Sequence, residues 1–238
     1  MKYVGIACST GCHPLNVLVI GDTHCPAMLP GYVQFLVAMR KRWKCRKVIH
    51  IGDVVDWAGI SYHERNPALP AAGDEYHKAM GQVQQLYTAF PRCTVLTGNH
   101  DDLPARQARS SGIPVELLRS YARIWETPNW QWLPRYATYV YDGVTYAHGD
   151  RGKGGQQAAL KNAKENFTPW VQGHLHSQAG CSYYANQDAI VFGLSTGCGV
   201  DHETMAMDYG KKFTAKPVIG CGIVLGGRQA LFEPMPLS

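Results

Sequence analysis

Short apolar runs that end on glycine set the rhythm of the first hundred residues. Asn16-Val17-Leu18-Val19-Ile20 leads into Gly21-Asp22-Thr23-His24, Lys47-Val48-Ile49-His50-Ile51 leads into Gly52-Asp53-Val54-Val55-Asp56, and Thr94-Val95-Leu96-Thr97 leads into Gly98-Asn99-His100-Asp101. A continuous β-branched run of this length reads as a strand buried on both faces. Between the runs the apolar period lengthens to three and four. Tyr32, Phe35, Leu36, Met39 and Trp43 mark one helix, and Tyr76, Met80, Val83, Tyr87 and Phe90 mark a second, with Asp74 as its expected cap and Pro91 beyond its end. Strand, helix, strand, helix, strand implies a parallel sheet of βαβ units. Neighbouring parallel strands end on the same edge, so the three polar blocks are expected to converge on one site.

Residues 102–135 are less regular, with short helices expected around 105–110 and 114–125 and then Trp130 and Trp132. This stretch is the candidate for a substrate-selecting insertion in a single domain over 1–238. From Tyr136 the pattern returns to strands: 137–141, an Asp142-Gly143 hairpin turn, and 144–147. A fourth block, His148-Gly149-Asp150, follows. A helix at 156–166 and the run Pro169–Gln172 precede a fifth block, Gly173-His174-Leu175-His176, and strands are expected at 189–194, 217–225 and 229–232.

At 238 residues, 45% hydrophobic and 17% charged, the chain is long enough for a substantial core and reads as globular. The net charge of +5 is compatible with a phosphate-bearing substrate without requiring nucleic acid. Six cations crowd Arg40–Lys47, which fits a solvated helix C-terminus better than a backbone-binding patch. The eight cysteines form no CxxC pair, so free thiols are expected, and Cys8, Cys12 and His13 lack a fourth ligand for zinc. The apolar core of the N-terminus is too short for a signal peptide, and no window of about 18 apolar residues spans a membrane. The expected location is cytoplasmic.

In order, the blocks are Asp-x-His, Gly-Asp-x-x-Asp, Gly-Asn-His-Asp, His-Gly-Asp and Gly-His-x-His. Their carboxylates, imidazoles and amide oxygen suit borderline divalent metals, and no thiolate is placed among them. The ordered set, from about residue 17 to residue 200, resembles the metallophosphoesterase (calcineurin-like phosphoesterase) superfamily. The resemblance implies an α/β fold, a two-sheet β-sandwich flanked by helices. It also implies two divalent ions, one held by Asp22, His24, Asp53 and His176, the other by Asp53, Asn99, His148 and His174, with Asp53 bridging. Mn²⁺ is favoured, and Fe, Zn or Ni also suit these ligands. In that pattern a metal-bridging hydroxide attacks phosphorus in line, His100 acts as general acid and Asp101 orients or charges it. Asp56 is expected to hold a ligand or loop in place.

The chain departs from the serine/threonine protein phosphatases of that superfamily, which carry Arg after the second block and Glu after Gly-Asn-His; here the residues are Trp57 and Asp101. The resemblance is therefore closer to the phosphodiesterase and nuclease branches and to small phage or bacterial members. The expected activity is hydrolysis of a phosphodiester in a nucleotide or nucleic acid, the basic run and the Trp-rich stretch being the features that suggest a polymer. A phosphomonoesterase or protein phosphatase is the first alternative, and a binding module that has lost catalysis is the second. Of the remaining histidines, His50 is expected to be structural, and His63, shortly after the second block, is more readily a structural residue than one that reaches the cleft. Asp150 is expected either to support the site or to serve as a turn residue, and Cys198 to be a buried small residue.

Overall fold

The structure, a computed structural model, describes residues 15–62, 67–204 and 214–236. The N-terminal arm with Cys8, Cys12 and His13, and His63, lie outside the described residues. Strands β1 (Val17–Ile20), β2 (Lys47–His50) and β3 (Cys93–Leu96) are parallel neighbours, linked by helices α1 (Tyr32–Arg42) and α2 (Ala72–Ala89). All four β1 side chains are buried because the strand has apolar partners on both sides. Leu18 and Ile20 pack with Tyr32 and Leu36 of α1 and Val83 and Leu86 of α2, whereas Val17 and Val19 pack against the second sheet.

Helix α3 (Leu103–Ser110), a short helix α4 (Tyr121–Ile124) and strand β4 (Trp130–Leu133) follow. The single helical stretch expected at 114–125 is a 3-10 turn (Val115–Leu117) and then α4. Strand β4 was not anticipated. It pairs in parallel with β3, Cys93 opposite Trp130 and Leu96 opposite Leu133, so the irregular stretch contributes the edge of the first sheet. Trp125 and Trp130 are buried in the core, so they offer no free stacking surface, contrary to the polymer argument built on them.

The second sheet has the order β5-β6-β7-β9-β8, from β5 (Tyr139–Tyr141), β6 (Val144–Ala147), β7 (Trp170–Gln172), β8 (Ala179–Ala185) and β9 (Ile190–Thr196). Helix α5 (Ala158–Asn166) lies against β9, and Gly193 leaves no room there for a Cβ beside the Leu160 backbone. Strands β10 (Gly220–Leu225) and β11 (Gln229–Pro234) return to the first sheet, giving β11-β10-β1-β2-β3-β4. Val17, Ile49, Leu96, Val144, Phe192 and Leu194 fill the space between the sheets. The expected two-sheet α/β sandwich flanked by helices is what forms. The six cysteines described are free, and Cys198 is buried. Among the described residues no helix is long and apolar enough to cross a membrane.

Helix α2 begins at Ala72, before the expected cap. Asp74 lies in its first turn, where a carboxylate complements the helix dipole. The basic run closes α1 and enters β2. Lys47 starts β2 and Asp53 follows its end, so the run lies at the strand pole opposite the polar blocks.

Candidate metal centre

Three of the five blocks leave their strands through a backbone that side chains seldom adopt. His24 (φ 45°), Asp53 (φ 48°) and His174 (φ 65°) are all left-handed, conformations that persist where the surroundings over-determine them. The second and third blocks approach so closely that a Cβ on Gly98 would meet the Asp53 carboxylate, and one on Gly52 would meet the Leu96 carbonyl. These glycines are required by proximity.

All seven expected ligands meet. Asp22 Oδ2 lies 3.1 Å from His176 Nε2, and His24 completes a cluster with this pair. Asp53, His148 and His174 form a second cluster, with Asp53 Oδ2 3.3 Å from His148 Nε2 and Asn99 Oδ1 3.0 Å from the same nitrogen. Asp53 Oδ2 is also 3.6 Å from His24 Nε2, which places this carboxylate between the two clusters as the bridging position requires.

A divalent ion fits these residues. His24 Nε2 is buried without a hydrogen-bond partner, while its Nδ1 is held 2.7 Å from Asp56 Oδ1. An imidazole steered by a carboxylate on one nitrogen and bare on the other is the usual arrangement of a metal-ligating histidine. Burial and the neighbouring His100 push the His24 imidazole below its ordinary range, so it is neutral, as a ligand must be. Burial alone would raise the Asp22 and Asp53 carboxyls, but the facing histidines reverse this and hold both below the ordinary range.

His100 borders the same cleft, a hollow of about 330 Å³. Its backbone N–H donates to Asp53 Oδ1 at 2.8 Å, and its Nδ1 lies 2.8 Å from the Asp56 carbonyl and 3.1 Å from Asp56 Oδ1. Burial opposes the imidazolium, yet Asp53 and Asp56 outweigh it and raise His100 to about 10. The ring partner expected to be Asp101 is therefore Asp56, which steers both His24 and His100. Asp101 points the other way: Oδ1 accepts from the Val55 N–H at 3.2 Å and Oδ2 from the Gly98 N–H at 2.9 Å, tying the second block to the third. The spacing Asp53-x-x-Asp56 carried a signal for this role, since Asp56 was expected to hold a ligand. That it also holds His100 depends on a tertiary contact.

His50 is structural as expected, buried between Thr23 and the Gly52 N–H and pushed down to about 4 by burial. Asp150 is tied to Arg135 at 2.9 Å. Trp57 stacks on Tyr76 and tilts against Trp125, in the region where a phosphate-clamping arginine would have been sought.

The family model for calcineurin-like phosphoesterase matches residues 15–208, and the chain belongs to that family, a class of metal-dependent phosphoric ester hydrolases. None of the curated proteins matches it. Among solved structures it is similar to a metallophosphoesterase from Sphaerobacter thermophilus (13% identity, covering 93% of this chain and 88% of that one, TM-score 0.49). It is also similar to Vacuolar Protein Sorting 29 from Cryptosporidium parvum (15% identity, 87% and 83%, TM-score 0.45) and the phosphoesterase Yfce of E. coli (14% identity, 88% and 87%, TM-score 0.41).

Proposed function

We propose that this chain is a binuclear-metal phosphodiesterase acting on a nucleotide or nucleic-acid phosphodiester. The observation that carries the diester preference is the lining of the cleft. His24, Asp53, Asn99, His100, His174 and His176 border it with Leu175, Ser177, Ala215 and Pro217, and no Arg or Lys is among the described residues that do so. Lys216 lies between two of them in sequence without lining the hollow. A monoester dianion spreads two charges over three terminal oxygens and gains more from a guanidinium clamp than a diester, which spreads one charge over two.

Two divalent ions, when bound, supply a nucleophile at neutral pH and offset charge on the phosphate. Asp22, His24 and His176 would hold one ion and Asn99, His148 and His174 the other, with Asp53 shared. His100 fills the role of proton donor to the leaving oxygen. Its Nδ1 side is occupied by Asp56, which turns the Nε2 edge to the substrate. Asp56 keeps two rings aligned at once, one on the metal and one on the leaving group.

The test is turnover of bis(p-nitrophenyl) phosphate against p-nitrophenyl phosphate by Mn²⁺-loaded protein. The expected result is a higher kcat/KM for the diester. A monoester preference would overturn the reading and direct attention to a cation outside the described lining.

A further inference from the structure

The stretch from α3 to β5 lines a second cavity of about 540 Å³. Val115, Leu118 and Ile124 give it apolar walls, and the exposed Arg109 and Arg119 stand at its mouth. Its lining is connected to the centre along the chain. Asp102, on its lining, comes two residues after His100, and the Leu103 N–H donates to the His100 carbonyl at 3.0 Å. On its other side Tyr136 borders both this cavity and the hollow that holds His148.

Tyr136 is held in an unusual way. Its φ is 65°, uncommon for a bulky residue, and half of it is exposed. The Arg135 guanidinium lies 4.5 Å from the ring centre and is itself fixed by Asp150 at 2.9 Å and Asp102 at 3.6 Å. A cation clamped on one face of an exposed ring leaves the other face as a rigid platform for a flat partner. Arg109 is partly used, paired with Asp102 at 2.7 Å, whereas Arg119 has no ion pair or hydrogen bond among the described residues.

We propose that this cavity is a nucleotide subsite: the base next to the scissile phosphate stacks on Tyr136, and the flanking phosphate is met by Arg119. The proposal rests on the diester reading for its chemistry at the metal centre. An apolar slot with an aromatic platform and a cationic mouth matches a nucleotide, whose flat base and anionic phosphate need these two surfaces side by side. A plain aryl diester would leave the slot empty.

The substrates for the test are p-nitrophenyl thymidine 5′-phosphate and bis(p-nitrophenyl) phosphate, and the binding probe is fluorescein-labelled dT10, followed by anisotropy on Mn²⁺-loaded protein. Tyr136→Gly removes the ring and suits the positive φ; Arg119→Ala removes an exposed cation that has no ion pair among the described residues. In Tyr136→Gly the kcat/KM ratio of the nucleotide ester to the plain diester is expected to fall roughly tenfold, the size of one lost base–aromatic stack. In Arg119→Ala, dT10 binding weakens and the slope of log K against log salt shrinks by about 0.7, one phosphate contact on a single strand. An unchanged ratio and an unchanged slope overturn the subsite. Sensitivity of the nucleotide ester without dT10 binding retains the subsite and assigns it to a small nucleotide ester. If wild-type protein turns over neither diester, the diester reading fails on its own. The dT10 titration then decides alone: binding lost in the variants keeps the subsite, and equal binding removes it.

Discussion

His100 and Asp101 are adjacent in sequence and opposite in duty. The first presents an imidazole to the cleft, while the second spends both carboxylate oxygens on the backbone N–H groups of Val55 and Gly98. Burial and the charge of Asp53 push Asp101 up to about 7, with those two N–H groups opposing. Substitution should separate the two roles. His100→Gln is expected to retain both metals and the wild-type melting temperature while kcat falls about 10²- to 10⁴-fold on esters with poor leaving groups. Asp101→Ala is expected to cost about 1–3 kcal/mol of stability in urea titration, because it strands two buried donors. Loss of metal in His100→Gln would mean that His100 is a ligand and that the acid lies elsewhere.

Residue identity was the most legible layer. All five blocks could be read as ligands because oxygen and nitrogen donors recur after strand ends, and the seven side chains do meet. The partner of His100 could not be read. Asp101 is its neighbour in sequence, but a side chain one position along an extended turn points away, and the ring is reached instead by Asp56 across the gap between two strands.

At the scale of elements, the strand–loop junctions carry the site, and they tolerate no extra atoms. Gly98→Ala should force Asp53 out of its place between the two clusters, since the added Cβ would overlap that carboxylate. The expected outcome is protein that still folds but has lost bound metal by elemental analysis. Full metal content would show that the loops can part. The helices and the first three strands were readable from period alone, because their apolar faces are continuous. Two strands were not. In β4, Trp130-Gln131-Trp132-Leu133 is too short to declare a period, and in β8 glycine and exposed tyrosines dilute the pattern. Both gain their conformation from a neighbour: β4 from β3, and β8 from the seven-residue ladder with β9.

For the molecule as a whole, a cluster of buried carboxylates and imidazoles shared between two sheets couples metal binding to folding. The first sheet supplies Asp22, His24, Asp53 and Asn99, and the second His148, His174 and His176. Metal at a hundredfold excess over its dissociation constant contributes about 2.7 kcal/mol. For a chain of this length that is roughly 5–10 °C in melting temperature. Thermal melts with Mn²⁺ and with EDTA should differ by at least that amount, which is the share of one ion; identical melts would mean that the clusters do not take metal in the native state. The basic run at Arg40–Lys47 plays no part here, because it is at the far pole of the first sheet.

The parallel pairing of β4 with β3 has one further consequence. His100 follows β3 by four residues and Tyr136 follows β4 by three, and the ladder is extended past the strands by the Thr97 N–H on the Leu133 carbonyl at 3.3 Å. Adjacent strands of a sheet are held about 4.8 Å apart. His100 and Tyr136 thus hang from one ladder, which acts as a caliper with both jaws cast in a single piece. On the proposed nucleotide subsite, the separation of His100 from Tyr136 is set by the sheet itself, and the expected cleavage position is uniform without any closing motion.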